Sequence, residues 1–306
     1  MGQAPEAYVL RQSRSQPSLT SDFKMKSFTL VTYSLLSCLV YATPIQFQRD
    51  ILHGPIAHSS RPIQQNRSEE AYHGNRASYS SIWSGAVIDS PPEGETFNSV
   101  SANFVIPKPS IPRGSPVNNY YTVAAWVGID GDTASKAILQ TGVDLTIEGG
   151  RVYYEPWYEW WPDHSYTFSE NLAISPGDVI KATVSATSST SGSATIENVS
   201  TGKLVSKYLT STYALAQQNA EWIVENYMMS LGPSAHHTPL ANWSSIVFTD
   251  TRASTRKSWL DASNATAINM AQNKTVITEV TINGSSVIDT YIFTGKASEL
   301  TPDGTS

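Results

Sequence analysis

The chain has 306 residues, only 15% of them charged, and a formal net charge of −6 at pH 7. Residues 1–77 carry 8 Lys/Arg against 5 Asp/Glu, whereas the remainder carries 12 against 21. So acidic a body is a poor binder of polyanions, which argues against a nucleic-acid partner. The length suits one large all-β domain or two ordinary ones, and the low charge content favours an extracellular β protein.

The first 77 residues are predicted to be a processed leader. Residues 25–42 read MKSFTLVTYSLLSCLVYA, in which a lysine, an apolar run and small residues at the cleavage site are typical of a secretory signal peptide. Residues 1–24 precede that start and are expected to be an extension of the gene model. Residues 43–77 are polar and contain four arginines. We expect them to form a basic propeptide that lies on the acidic body and inhibits it, with a disordered linker as the alternative.

Other features agree with a secreted, extracellular protein. The single cysteine, Cys38, lies inside the signal peptide, so the mature protein would hold together without disulfides. No other apolar run is long enough to span a membrane, and we expect no membrane partner. Glycosylation sequons fit secretion and begin at Asn66, Asn198, Asn242, Asn264, Asn273 and Asn283.

From residue 78 onward the chain consists of short β-rich runs separated by turn residues, with no sustained helical period. These runs are Ser99–Ile106, Tyr121–Val127, Ala137–Leu145, Val152–Trp161, Val179–Ala186, Ser193–Val199, Lys203–Thr210, Ser245–Thr249, Thr275–Ile282 and Ser286–Thr294. Asn283-Gly284 is a typical hairpin turn. Residues 78–306 are therefore predicted to form one domain, an antiparallel β-sandwich of two large sheets.

The alternation of side chains along a strand brings polar residues onto shared faces. Gln140 and Asp144 lie on one face of their strand, and Glu155 and Glu159 share a face with Trp157 on the next. Carboxylates interleaved with aromatics predict the floor of a groove that holds an extended polymer. In Glu221–Glu225 (EWIVE) both glutamates share a face, and either could be a buried acid with a raised pKa.

Six collinear motifs in this body resemble the glutamic peptidases, or eqolisins, which are acid-acting fungal secreted endopeptidases with a β-sandwich fold. The motifs are SIWSGAVI at 81–88, AAWVGIDGD at 124–132, AILQTGVD at 137–144, WYEWWPD at 157–163, SPGDVI at 175–180 and AEWIVE at 220–225.

This resemblance implies a catalytic dyad of Gln140 and Glu225. Glu225 would act as general base on a water and then as acid towards the leaving amine, while Gln140 would position the water and donate to the oxyanion. The resemblance also implies cleft-lining and substrate-binding roles for Trp83, Trp126, Asp130, Asp144, Glu155 and Glu159. It implies polypeptide substrates and no cofactor, and we expect a monomer.

Two rival functions stay open at this point. A β-sandwich glycosidase would use paired carboxylates such as Glu159 and Glu225, about 5–5.5 Å apart for a retaining mechanism. A non-catalytic carbohydrate-binding sandwich would use the tryptophans alone. The tandem His236-His237 resembles a metal pair, but no cysteine or acid accompanies it, and we expect no metal site.

Overall fold

The computed structural model describes residues 78–231 and 234–300, together with leader residues 58–59, 61–63, 67–68, 71–72 and 75–76. All of these residues belong to one compact unit. The predicted signal peptide and the extension before it lie outside the described residues, as does the sequon at Asn66. No helix in the part of the chain that the structure describes is long and apolar enough to cross a membrane.

Almost every element is a strand. The leader supplies β1 (His58–Ser59), β2 (Arg67–Ser68), β3 (Ala71–Tyr72) and β4 (Asn75–Arg76). The body follows with β5 (Ser78–Ser80), β6 (Trp83–Ile88), β7 (Ser99–Val105), β8 (Tyr121–Ile129), β9 (Ile138–Glu148), β10 (Arg151–Trp161), β11 (Tyr166–Thr167), β12 (Val179–Ser188), β13 (Ser191–Asn198), β14 (Lys203–Thr210), β15 (Ala220–Glu225), β16 (Met228–Leu231), β17 (Ser234–His237), β18 (Ser245–Ser254), β19 (Trp259–Leu260), β20 (Thr266–Gln272), β21 (Thr275–Val276), β22 (Thr278–Asn283) and β23 (Ser286–Tyr291). Short 3₁₀ helices occur at Ala262–Asn264 and Ala297–Glu299.

Two large sheets form the sandwich. A ten-stranded sheet, here called the cleft sheet, has the order β11-β10-β9-β8-β15-β6-β20-β5-β2, with β21 added beside β20. An eight-stranded sheet, the back sheet, has the order β14-β13-β12-β7-β18-β23-β22, with β19 beside β18. Pairing is antiparallel except between β20 and β5. The predicted two-sheet antiparallel sandwich is confirmed.

The main core lies between these sheets. On the back sheet, β7 alternates between half-buried and buried positions, and its Val100, Ala102 and Phe104 point inward. On the cleft sheet, β8 is buried along its whole length because both of its faces are covered. Its odd-numbered residues belong to the main core, whereas Ala124 and Trp126 belong to a second apolar cluster on the opposite side. That opposite side is called the cleft face below.

The structure corrects one predicted strand and extends another. The predicted run Thr275–Ile282 is interrupted at Ile277, because β21 pairs in the cleft sheet and β22 in the back sheet. Ile277 joins them by donating its N–H to the Met270 carbonyl oxygen at 2.8 Å. The predicted run Ser245–Thr249 continues to Ser254 through a bulge where its register against β7 shifts. The Asn283-Gly284 hairpin is confirmed, with Asn283 opposite Ser286.

One predicted glycosylation site is closed in the folded chain. Asn198 is fully buried, and its side-chain nitrogen donates to the Ala173 carbonyl oxygen at 3.1 Å and to Asp178 Oδ2 at 2.8 Å. A sugar on that nitrogen would replace one of its two hydrogens and so break at least one of these bonds. By contrast, Asn264, Asn273 and Asn283 are exposed.

Candidate active site

Five neighbouring strands bring polar residues together on the cleft face. Hydrogen-bonded register aligns Trp83 of β6 with Glu225 of β15, Ala124 of β8 and Asp144 of β9, and Asp144 faces Glu155 of β10. This line is called the Glu225 row. A parallel line, the Gln140 row, contains Val87, Glu221, Gly128, Gln140 and Glu159. The predicted shared faces of β9 and β10 are confirmed.

Glu225 ends β15 and is 1% exposed. The indole N–H of Trp126 donates to Glu225 Oε2 at 2.8 Å. Trp126 in turn packs edge-on against Trp83, with ring centroids 4.9 Å apart and an interplanar angle of 80°. The two tryptophans therefore hold one carboxylate oxygen in place and surround it with apolar surface.

Gln140 is fully buried and is held by the neighbouring strand. Its Nε2 donates to Glu159 Oε2 at 2.7 Å. Its Oε1 has no hydrogen-bond partner among the described residues. Because a primary amide carries two N–H groups, Glu159 orients the side chain and leaves one N–H for another acceptor.

The register also shows that Gln140 and Glu225 are not directly opposite each other. Gln140 faces Gly128, and Gly128 faces Glu221, so the first glutamate of EWIVE lies in the Gln140 row. The side chain of Trp126 lies between the two rows, since an atom added as Cβ on Gly128 would meet its ring at 2.7 Å and Glu221 Oε2 at 3.3 Å.

Glu221 is a fully buried carboxyl whose two oxygens have no hydrogen-bond partner in the described part of the chain. Burial raises its pKa well above the ordinary value, and the nearby acids Asp130, Asp132 and Asp89 raise it further. The raised pKa favours the protonated, neutral form of Glu221 in acid.

Asp130, which was predicted to contact substrate, accepts hydrogen bonds from backbone N–H groups. Its two oxygens accept N–H bonds from Gln217 at 2.8 Å, Gln218 at 2.7 Å and Asn219 at 3.2 Å. Burial raises the pKa of Asp130, and these backbone bonds oppose the rise. Since the three donors immediately precede β15, Asp130 fixes the start of the strand that carries Glu221 and Glu225.

The remaining predicted site residues, Asp144 and Glu155, lie in the Glu225 row, whereas Trp157 and Trp160 of the WYEWWPD motif lie on opposite sides of β10. Asp144 is buried and Glu155, its cross-strand partner, is half-buried. Trp157 belongs to the cleft-face cluster. Trp160 lies on the opposite side in the main core, where its indole N–H donates to the Tyr213 carbonyl oxygen at 2.9 Å.

Sequence reasoning missed Tyr227, which is 1% exposed and belongs to the cleft-face cluster. Ile138 and Ile223, which strand alternation places on the faces of Gln140 and of Glu225, are fully buried members of the same cluster. Burial, and then the charge of Asp144, raises the pKa of Tyr227 well above its ordinary value. Tyr227 follows Glu225 by two positions, so strand alternation extended past the motif would have found it.

The tandem histidines lie on β17, opposite Met228 and Met229. His237 Nδ1 lies 2.9 Å from the Asn226 carbonyl oxygen, and burial lowers the pKa of His237. Within the described ranges, no group of three or more His, Cys, Asp or Glu side chains is placed to hold a metal ion.

Comparison with known proteins shows the family of the chain. The sequence profile of the Peptidase A4 family matches residues 81–291. Aspergillopepsin-2 of Aspergillus niger is 37% identical over 293 residues, which cover 88% of this chain and 100% of that protein. Scytalidopepsin B of Scytalidium lignicola is 37% identical over 236 residues, 76% of this chain and 83% of that protein.

The fold comparison gives the same result. A crystal structure of scytalido-glutamic peptidase with a transition state analog inhibitor superposes with a TM-score of 0.62 at 35% identity, covering 69% of this chain and 98% of that chain. The chain therefore belongs to the Peptidase A4 family, the eqolisins, and is a glutamic-type peptidase.

Proposed function

We propose that the protein is a secreted endopeptidase that hydrolyses peptide bonds of proteins in acid through Gln140 and Glu225. One observation supports it above all: both side chains are buried on the same face of the cleft sheet, and each is oriented by one neighbour. Trp126 holds one oxygen of Glu225, and Glu159 holds one N–H of Gln140. The dyad is thus pre-oriented before substrate arrives, as catalysis by fixed dipoles requires.

The chemistry follows from what each group can do. The Glu225 carboxylate takes a proton from a water, whose oxygen attacks the peptide carbonyl carbon and forms a tetrahedral intermediate. Gln140 donates its remaining N–H to the oxyanion, and it can do so at any pH because an amide does not titrate. Glu225 then returns the proton to the nitrogen of the breaking C–N bond. The products are a carboxylic acid and an amine.

The register allows one water between the two residues. Four residues along a strand cover about 13 Å and two strand spacings about 10 Å, so the two Cα atoms would be about 16 Å apart in a flat sheet. Each extended side chain spans about 5 Å from its Cα atom. Even if both side chains pointed at each other, a gap of roughly 6 Å would remain, so the two groups do not hydrogen-bond directly and the attacking water would lie between them.

Glu221 is a second candidate for the base, because it lies in the same row as Gln140. Its environment argues against that role. A base must be ionised at the working pH, and the raised pKa of Glu221 keeps it protonated throughout the acid range. We therefore assign the base to Glu225 and keep Glu221 as the alternative that mutation must exclude.

The rival glycosidase pairing fits the register poorly. Glu159 and Glu225 are separated by three strand spacings, about 14 Å, and by four residues along the strand, about 13 Å, so their Cα atoms would be about 19 Å apart in a flat sheet. Even if both side chains pointed at each other, about 9 Å would remain between the carboxylates, whereas a retaining glycosidase needs about 5–5.5 Å. Glu159 is also engaged with Gln140. A non-catalytic carbohydrate-binding sandwich would have no use for two buried polar groups oriented in this way.

We also propose that residues 43–77 act as an inhibitory propeptide and that the mature protein is a monomer. The inhibitory role is supported by the position of leader residue Ile63, which is fully buried in the cleft-face cluster. As that residue leaves the cleft on maturation, the site would open to polypeptide substrates.

A single assay separates these functions. The full chain is incubated at pH 2–4 with an unfolded protein and, separately, with a β-glycan, each in the presence of pepstatin. We expect peptide release that is lost in both Gln140→Ala and Glu225→Gln. Sugar release that is unaffected by Gln140→Ala, or peptide release that pepstatin abolishes, would overturn the proposal.

A further inference from the structure

Two fully buried polar groups in the Gln140 row have no hydrogen-bond partner among the described residues. One is the Oε1 oxygen of Gln140, and the other is the whole carboxyl group of Glu221. Buried polar atoms in native folds are nearly always paired, with protein or with water, and the exceptions are concentrated at functional sites. The mechanism above uses the N–H side of Gln140 and leaves both of these groups without a role.

The Glu221 carboxyl extends towards Gln140 across a glycine. Glu221 of β15 and Gln140 of β9 both pair with Gly128 of β8, which lies between them. A Cβ atom added to Gly128 would lie only 3.3 Å from Glu221 Oε2. The carboxyl therefore lies beside the surface of β8, and the strand of Gln140 is one further spacing, about 5 Å, away. Glycine at position 128 keeps this space free of a side chain.

The amide oxygen of Gln140 is directed away from Glu159. Gln140 Nε2 donates to Glu159 Oε2 on β10 at 2.7 Å. The oxygen and the nitrogen of a planar amide diverge, so Oε1 cannot point to the same neighbour as Nε2. On the other side of Gln140 from β10 lies β8, followed by the strand of Glu221. The unpartnered oxygen and the unpartnered carboxyl thus lie on the same side of the Gln140 side chain.

The two groups are complementary when Glu221 is protonated. An amide oxygen only accepts hydrogen bonds, whereas a protonated carboxyl has one O–H to donate. The charged groups that face Glu221 are acids: Asp130 and Asp132 follow β8, Asp89 follows β6, and Glu225 lies on the same face of β15. Burial, and then the charges of Asp130, Asp132 and Asp89, raise the pKa of Glu221. The form that can donate is therefore favoured in acid.

We propose that Glu221 is a positioning residue for Gln140: its protonated carboxyl donates, through one bridging water, to Gln140 Oε1 and so keeps the amide from flipping. This inference rests on the proposed function, in which the second N–H of Gln140 binds the oxyanion. With Glu159 on the nitrogen side and Glu221 on the oxygen side, one amide orientation is satisfied at both ends. The flipped amide would place its oxygen against Glu159 Oε2 and turn its N–H groups away from the oxyanion.

The coupling gives the reaction a requirement for acid. As pH rises through the raised pKa of Glu221, the carboxyl loses the proton that it donates. The carboxylate that forms only accepts, so it attracts the N–H side of the amide and favours the flipped form. We expect kcat to fall for this reason on the alkaline side of its pH profile, whereas ionisation of Glu225 sets the acid side.

Two variants of the full chain separate positioning from packing. Glu221→Gln keeps the shape and an N–H donor but cannot titrate, and Glu221→Leu has no donor. With a quenched peptide substrate, Glu221→Leu should lower kcat about tenfold, the scale of one lost hydrogen bond, with KM nearly unchanged. Glu221→Gln should recover most of that loss and move the alkaline limb to higher pH. An unmoved limb in Glu221→Gln, or equal kcat in the two variants, would overturn the proposal.

Asp289→Asn is the matched control. Asp289 is another fully buried carboxyl whose oxygens have no hydrogen-bond partner in the described part of the chain, but it lies between the sheets. Rates are compared only at pH values where circular dichroism shows every variant folded. The limb should keep its native position in Asp289→Asn. An equal shift in Asp289→Asn and Glu221→Gln would show an effect of the whole fold and refute positioning.

Nuclear magnetic resonance tests the amide itself, without catalysis. The full chain carries Glu225→Gln to prevent self-digestion and isotope-labelled glutamine, and the side-chain N–H signals of Gln140 are assigned by their loss in Gln140→Ala. We expect these signals to shift as pH rises, and the shift to disappear when Glu221→Gln is added. This measurement carries the test if Glu221→Leu does not fold.

The outcomes distinguish this inference from the proposed function. Hydrolysis that needs Gln140 and Glu225, with Gln140 signals that do not respond to Glu221, would refute the positioning role and leave the peptidase standing. Gln140 signals that follow Glu221, in a protein whose native form cleaves no polypeptide, would support the contact and refute the proposed function.

Discussion

The indole N–H of Trp126 donates to Glu225 Oε2 at 2.8 Å across one strand boundary of the cleft sheet. A charge-assisted bond of this kind stabilises the ionised form of a carboxylate more than its protonated form. Trp126 therefore favours the state in which Glu225 can accept a proton from water.

Trp126→Phe tests this coupling because phenylalanine retains a ring and loses the N–H. Without the donor, the ionised carboxylate is less stable and appears only at higher pH. We expect the acid limb of the kcat/KM profile to move to higher pH, measured with a quenched peptide substrate. Trp222→Phe is the matched control, since Trp222 donates to the Ser101 carbonyl oxygen away from the cleft. An unmoved limb in Trp126→Phe would count against the coupling.

Amide variants distinguish the roles of the two glutamates of EWIVE, Glu221 and Glu225. Glu225→Gln should lower kcat by about 100- to 10,000-fold, the usual contribution of a general base. Glu221→Gln should keep most of the activity, because it replaces a neutral acid with a neutral amide of the same shape. Single-turnover rates at pH 3 measure both. A larger loss of activity in Glu221→Gln than in Glu225→Gln would show that Glu221 is the general base.

Asp130→Asn should destabilise the fold and reduce activity indirectly. Asparagine has one acceptor oxygen for the three backbone N–H groups that Asp130 now binds. We expect a loss of about 1–3 kcal/mol in the free energy of unfolding, measured by urea denaturation. Asp163→Asn, an exposed carboxyl that accepts one bond from Ser211, should change it little. Equal stability of the two variants would show that Asp130 does not anchor β15.

Asp289 makes stability depend on pH. It is fully buried between the sheets, and neither of its oxygens has a hydrogen-bond partner among the described residues. Burial raises its pKa to about 7 from 3.8. The unfolded chain thus releases this proton near pH 4 and the folded chain only near pH 7.

The sign of the effect follows from this difference. Because the folded state binds the proton more tightly, stability from this group is greatest below about pH 4, falls as pH rises to about 7, and then stays low. A shift of three units corresponds to on the order of 4 kcal/mol. Asp289→Asn should therefore stabilise the protein at pH 7.5 and change little at pH 3.5, as measured by urea denaturation. Asp250→Asn, at an exposed carboxyl, is the control. A flat stability profile for the native chain between pH 3 and 8 would contradict the assignment.

Much of the site could be predicted from the sequence because it depends on strand periodicity. A strict period of two placed Gln140 with Asp144 and Glu155 with Glu159, whatever the strands later paired with. Other features had no local signal. The strand Thr266–Gln272 was not predicted, and Ile277 crosses between the sheets within a run that looks like one continuous strand.

The sequence by itself determined the all-β sandwich, the family motifs and the strand faces on which Gln140 and Glu225 lie, because these depend on local alternation and residue identity. Only the tertiary structure decided which side chains meet. Register between β8, β9 and β15 placed Glu221, not Glu225, in the row of Gln140. Packing brought the indole N–H of Trp126 to the Glu225 carboxylate, and it brought backbone N–H groups to the Asp130 carboxylate. These contacts join residues more than eighty positions apart, and such pairings are set by which strands become neighbours.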